Sequence, residues 1–280
     1  MPYGAEISRS NPSCFLFLID RSGSMKDPFT GGANLRSKAE GLADAINRLL
    51  QNLVLKCTKS EGIRDYYHVG VIGYASNLVG PAFAGALAGK ELVSISEIGN
   101  NPVRLEEREK SVDDGAGGII KQKVKFPIWF DAVSLGGTPM FEAFQRANTV
   151  LVKWLMQHPD CFPPIVINIS DGASTDGDPY QPAQDLMTLS SSDGPVLLFN
   201  LHLSSSLQAP IEFPDNESNL PDEHSKMLFN MSSPLPEYMQ SALTEEGYKV
   251  SPLTRGFVFN ADLVSVIRFL DIGTRPANLR

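Results

Sequence analysis

FLFLIDRSGSM, Phe15 to Met25, begins as an unbroken apolar run and ends on a carboxylate followed by two hydroxyls. The run Phe15 to Ile19 suits a strand covered on both faces, since such strands read as continuous apolar segments. Asp20, Ser22 and Ser24 then follow with Gly23 between the serines. Asp and Ser favour turns, so this stretch alone fits either a strand-to-turn connection or a ligand site. The choice depends on what the rest of the chain brings beside it.

Working outward, Leu35, Ala39, Leu42, Ile46, Leu49, Leu50 and Leu53 recur at helical spacing and predict a long amphipathic helix. His68 to Ser76 (HVGVIGYAS) predicts a second buried strand. LVSIS (Leu92 to Ser96) and KVKFPIWF (Lys123 to Phe130) read as strands, with a charged, glycine-rich loop or inserted element between them. Thr138-Pro139 reads as an N-cap with proline at the first helical position. Met140, Phe141, Phe144, Ala147, Leu151, Trp154 and Leu155 form the buried face of that helix.

PPIVINIS (Pro163 to Ser170) is another buried strand, ending at Asp171. Asp178-Pro179 repeats the cap-and-proline start, and PVLLFNLHLS (Pro195 to Ser204) is a further strand. Residues 205–235 are polar and punctuated by proline. A helix from Pro236 to Glu246, a short strand at Gly256 to Phe259 and a final helix capped by Asn260 complete the order. Alternating strands and amphipathic helices imply a parallel sheet with helices on both faces. The expected architecture is one doubly wound α/β domain over 1–280, its core about 14–272, with insertions about 99–122 and 205–235.

In such sheets ligands bind beyond the carboxyl ends of the strands. Asp20, Ser22 and Ser24 follow the first strand, Gly136-Gly137-Thr138 precede a helix, and Asp171-Gly172 follow PPIVINIS. All three segments belong on one edge, and their side chains offer oxygen alone. Hard divalent cations take such oxygens, whereas zinc and copper sites usually add imidazole or thiolate. Alternate positions can turn Ser22 and Ser24 toward one point, with Gly23 allowing a tight bend. Asp20 and Asp171, on neighbouring strands, would face each other as like charges relieved only by a cation. Asp171→Asn is therefore expected to leave the metal-free chain about as stable as before.

D-R-S-G-S, G-G-T-P and I-S-D-G together resemble the metal-ion-dependent adhesion site of von Willebrand factor A domains. The resemblance runs from Phe15 to about Ile272 and is greatest to compact bacterial proteins of the tellurium-resistance type. It implies Mg²⁺ or Mn²⁺ held through Ser22, Ser24 and Thr138, with Asp20 and Asp171 often acting through water. It also implies that a partner protein's Asp or Glu completes the coordination, so that the job is recognition and not chemistry. Similar bacterial members are often encoded beside kinases, phosphatases or ATPases, which points to such a partner and to a stress-response or defence setting. In larger relatives the final helix shifts when the metal site engages.

Composition narrows the classes. The 280 residues carry a formal net charge of −8, which opposes general binding to nucleic acid or an anionic membrane. Cys14, Cys57 and Cys161 are odd in number and far apart, indicating neither a disulfide framework nor a zinc site. No apolar run reaches the roughly 18 residues of a membrane span, and the first residues lack a secretory pattern. A reduced, cytoplasmic protein is expected. No phosphate loop or nucleophile elbow is present. A hydrolase built from Asp20, Ser24 and Asp171, with His202 as base, can be drawn, but nothing supplies its oxyanion hole. Asp176 and Asp178 invite a second Ca²⁺ site, although turn and cap chemistry explains them better.

Overall fold

The computed structural model describes residues 3–29, 36–76, 78–113, 119–203 and 208–273. In chain order the main elements are β1 (Ser13–Asp20), α1 (Lys38–Cys57), β2 (Tyr67–Ala75), β3 (Leu78–Pro81), β4 (Val93–Ser94), α2 (Ile95–Asn100), β5 (Arg104–Asp113) and β6 (Ile119–Ile128). They continue with α3 (Met140–Gln157), β7 (Ile165–Ser170), α4 (Tyr180–Thr188), β8 (Leu197–Leu203), β9 (Ile211–Glu212), α5 (Glu223–Asn230), α6 (Glu237–Glu245), β10 (Phe257–Ala261) and α7 (Leu263–Gly273).

The central sheet runs β9-β10-β8-β7-β1-β2-β3, with β4 also on β2. Its inner strands β10, β8, β7, β1 and β2 pair in parallel, while β3, β4 and β9 pair antiparallel at the edges. This is the expected doubly wound sheet. The chain moves from β1 to β2 on one side and later to β7 on the other, so strand order reverses at β1. Ligand crevices in doubly wound sheets lie at such a reversal.

β1 is buried along its whole length, as its unbroken apolar run requires. Phe15, Phe17 and Ile19 point into the core beneath α1, α2, α6 and α7. Cys14, Leu16 and Leu18 point into the core beneath α3, α4 and α5. All three cysteines are free and buried, which matches Cys14 as a small core residue. Among the described residues no helix is long and apolar enough to cross a membrane.

Several local expectations change. Of the loop or inserted element expected within 99–122, the structure has the inserted element: β5 and β6 form a long antiparallel hairpin. Its Arg108 pairs with Asp44 of α1 at 2.9 Å and lies over Phe126. LVSIS is strand only at Val93–Ser94, because the Ser94 side chain accepts from the Glu97 amide and starts α2. The 205–235 stretch contains β9 and α5, whose Leu228 and Phe229 enter the second core. Asn260 lies within β10, and α7 is instead capped by Asp262, which accepts from the Ser265 amide. Leu35 and the tail 274–280 lie outside the described residues.

α1 starts at Lys38, where Ser37 and Glu40 form a reciprocal capping box. Below the carboxyl edge, polar groups cross three strands. Tyr74 hydroxyl donates to Asn168 Oδ1 at 2.8 Å, Asn168 Nδ2 donates to Asn200 Oδ1 at 3.0 Å, and Asn200 Nδ2 donates to Ser232 Oγ at 3.0 Å. Periodicity hid these asparagines inside apolar strands. Buried groups left unpaired cost about 1–3 kcal/mol each. Asn168→Val is therefore expected to destabilise the chain by about 2–3 kcal/mol, read as a lower denaturant midpoint. A midpoint equal to wild type would show that the network adds nothing.

Candidate metal site at the strand-order reversal

Asp20 is the last residue of β1 and is only 1 % exposed. Its Oδ1 accepts from the Ser22 amide at 2.8 Å, and its Oδ2 accepts from Ser170 Oγ at 2.7 Å. Burial pushes its carboxyl above the ordinary range; bonds from Ser22 and Ser170 oppose this, and nearby Asp171 adds to it. A carboxylate so placed has neutral donors and is short of a counter-charge.

The Ser22–Asp27 loop turns back as a short 3-10 helix at Gly23–Lys26. It brings Ser22 Oγ and Ser24 Oγ to 3.1 Å, and Ser24 Oγ donates to Asp171 Oδ1 at 2.7 Å. Ser22 is buried while Ser24 is exposed, so the hydroxyl pair opens to solvent on one side. Asp20, Ser22, Ser24 and Asp171 thus meet as the spacing predicts.

The segment carrying Thr138 is locked beside them by backbone. Gly23 N–H donates to Gly136 O at 2.8 Å, and Ser76 N–H donates to Gly137 O at 2.9 Å. Gly136 has φ +60°, and a Cβ there would lie 1.8 Å from Ser76 Oγ, so only glycine fits. Thr138 does not cap α3. That role falls to Asp176, whose oxygens accept from Phe141 and Glu142 amides at 3.0 and 2.9 Å. Thr138 N–H donates to Thr175 Oγ1 at 2.9 Å, and its own hydroxyl takes no hydrogen bond among the described residues. Asp178 accepts from the Tyr180 amide at 2.9 Å, a turn-and-cap role as expected.

The expectation of two bare carboxylates facing each other is corrected by Lys38. Its Nζ sits 2.6 Å from Asp171 Oδ2, with the two side chains 5 % and 0 % exposed. The sequence carried a signal for this residue. The S-x-x-E capping box at Ser37–Glu40 sets the start of α1, and with it the position of Lys38. The apolar stripe alone begins the helix near Leu35.

Among the described residues His202 shares no hydrogen bond with Ser24. Its Nδ1 accepts from the Asn260 amide at 3.4 Å, and its ring stacks on Phe259 at 4.7 Å. The Ser24 hydroxyl bonds Asp171 and Ser22 instead. Burial first, then neighbouring His224 and Lys38, lower the His202 pKa from 6.5 to about 4, against the pull of Asp222 and Asp171.

The residues fit a hard divalent ion by donor chemistry: hydroxyls and carboxylates converge, and a cation already rests on one carboxylate. Among the described residues no group of three or more His, Cys, Asp or Glu side chains gathers around a metal-sized gap. A site here would depend on serine and threonine oxygens.

Two outcomes follow. Asp171→Asn in EDTA should lose about 3 kcal/mol of stability, because it strands a buried ammonium. A melting temperature unchanged from wild type would mean that the ion pair contributes nothing. For His202, the unfolded chain protonates near 6.5 and the folded chain only near 4. The stability from holding it neutral is complete above pH 6.5 and is lost as pH falls toward 4. His202→Gln should flatten part of that slope in urea midpoints measured across the window; an identical slope would assign the loss elsewhere.

No protein-family model matches the sequence, and no characterised protein matches it. Among solved structures the chain is similar to the ArnB paralog VWA2 from Sulfolobus acidocaldarius, with 17% identity and a TM-score of 0.34 over 71% of this chain and 36% of that one. It is similar to the manganese-loaded TRAP protein of Plasmodium vivax, with 12% identity and a TM-score of 0.32 over 70% and 59% of the two chains. It is also similar to the vWF domain of the type V pili tip protein Mfa5 from Porphyromonas gingivalis, with 14% identity and a TM-score of 0.34 over 93% of each. The match thus spans little more than a third of the Sulfolobus chain and under two thirds of the Plasmodium chain.

Proposed function

We propose that this chain is a divalent-metal-dependent protein-interaction module. Mg²⁺ or Mn²⁺ would be held by Asp20, Ser22, Ser24, Thr138 and Asp171, and would present a Lewis-acidic position to an acidic side chain of a partner protein. The observation that carries this reading is the convergence of Ser22, Ser24 and Asp171 at the strand-order reversal, with Ser24 Oγ 3.1 Å from Ser22 Oγ and 2.7 Å from Asp171 Oδ1. The motif resemblance to the metal-ion-dependent adhesion site supports it. So does the surface beside the site: Leu135, whose amide donates to Arg21 O, is 57 % exposed. An apolar side chain next to a cation site suits a protein partner.

A binding role is favoured over hydrolysis because Ser24 is engaged by Asp171 and His202 is packed against Phe259. The finer reading is a cytoplasmic regulatory or assembly component of a bacterial stress-response or defence system, its partner a kinase, phosphatase or ATPase.

Calorimetric titration should show near 1:1 Mn²⁺ binding that disappears in the Ser22→Ala, Ser24→Ala double variant. Loss of these small hydroxyls at the loop should leave the fold intact, as circular dichroism would check. Undiminished binding in the double variant would place the ion elsewhere.

A further inference from the structure

Lys38 occupies a position that elementary electrostatics disfavours. It opens α1 immediately after the Ser37 cap, where unpaired amides make the helix end partially positive and a cation unwelcome. It is also 4 % exposed, although lysine is almost never buried without a partner. The partner is Asp171 Oδ2, at 2.6 Å. The other oxygen of that carboxylate accepts from Ser24, which is in contact with Ser22. One ammonium therefore neutralises the same carboxylate that the hydroxyl pair engages.

The lysine is held there by its backbone. Lys38 N–H donates to Asp27 O at 2.9 Å, and Asp27 N–H donates to Ser24 O at 3.0 Å. The loop carrying the hydroxyls and the start of α1 are thus joined, and the side chain has only its own flexible stem with which to leave. Among the described residues, no other cationic side chain is bonded to Asp20 or Asp171.

We propose that Lys38 is a tethered counter-cation that competes with a divalent ion for Asp171. The inference rests on the metal reading above and deepens it by naming the residue that sets metal affinity. Two cations cannot share one partly buried carboxylate without strong mutual repulsion. Metal entry then requires the Lys38–Asp171 pair to break and the ammonium to swing toward solvent. In the metal-free chain the same pair supplies the charge that keeps Asp171 buried and aimed at Ser24. Metal affinity in the free protein is thereby held down, while the site stays assembled.

The test compares free Mn²⁺ by electron paramagnetic resonance in titrations of wild type and Lys38→Met. Methionine keeps the apolar stem and removes the charge. The variant is expected to bind Mn²⁺ at least about tenfold more tightly. Equal or weaker binding by a folded variant, with wild type still binding, overturns the competition and leaves the metal reading intact. Absence of binding in both proteins overturns the metal reading and this inference with it. Should Lys38→Met fail to fold, wild type alone decides. Reductive methylation read by mass spectrometry, with and without saturating Mg²⁺, should show Lys38 labelling rise several-fold relative to exposed Lys153. Labelling of Lys38 unchanged at metal saturation overturns the proposal.

Discussion

β1 is bonded along both of its edges, to β2 on one side and β7 on the other, in parallel register. That double pairing is the constraint on which the site depends. It puts the carboxyl ends of three strands side by side: Asp20 ends β1, Ser76 follows β2, and Asp171 follows β7. A parallel sheet turns every such end toward the same edge, so the loops that follow must share one crevice. The reversal of strand order leaves the crevice open, because the connections leave in opposite directions. Helices cover both faces, which is why β1 can be apolar on either side and still finish on a carboxylate.

Charge at this edge is managed in two ways. Asp20 is buried against neutral donors, the Ser22 amide and the Ser170 hydroxyl, and its carboxyl is pushed upward by desolvation. Asp171 is buried against a full positive charge from Lys38. A buried ion pair is weak support for stability, because desolvation offsets much of the attraction. Breaking one by removing a single partner is costly for the same reason. The pair is therefore better understood through what it does to the site: it holds a carboxylate in place beside two hydroxyls in a way that a cation of another kind could replace.

Regions outside the sheet also bear on the edge. α5, from the polar, proline-punctuated 205–235 stretch, seals the sheet with Leu228 and Phe229 and sets His224 against His202 at 5.9 Å. The β5–β6 hairpin is anchored through Arg108 to Asp44, on the same helix whose first residue is Lys38. α1 thus links the hairpin to the site through a rigid element.

Much of this was legible from residues alone. Unbroken apolar runs mark buried parallel strands, and the 3.6-residue stripes of α1 and α3 mark the helices, because burial on a regular element imposes a period on composition. The oxygen-bearing residues after β1 and β7 followed from the same logic. Of the β5–β6 hairpin only the second strand was legible, from KVKFPIWF; β5 was not, since its charged first half resembles a solvated loop. Nor was the cap of α3: Thr138-Pro139 has the right chemistry, but Asp176, distant in sequence, holds the amides. The sequence by itself determined the main buried strands and amphipathic helices and the oxygen-bearing side chains that follow the strands, because periodicity and side-chain chemistry are local properties. Only the tertiary structure decided which charge meets which. Lys38 and Asp171 are 133 residues apart, and their pairing follows from the start of α1 meeting the residue that follows β7, which no local pattern encodes.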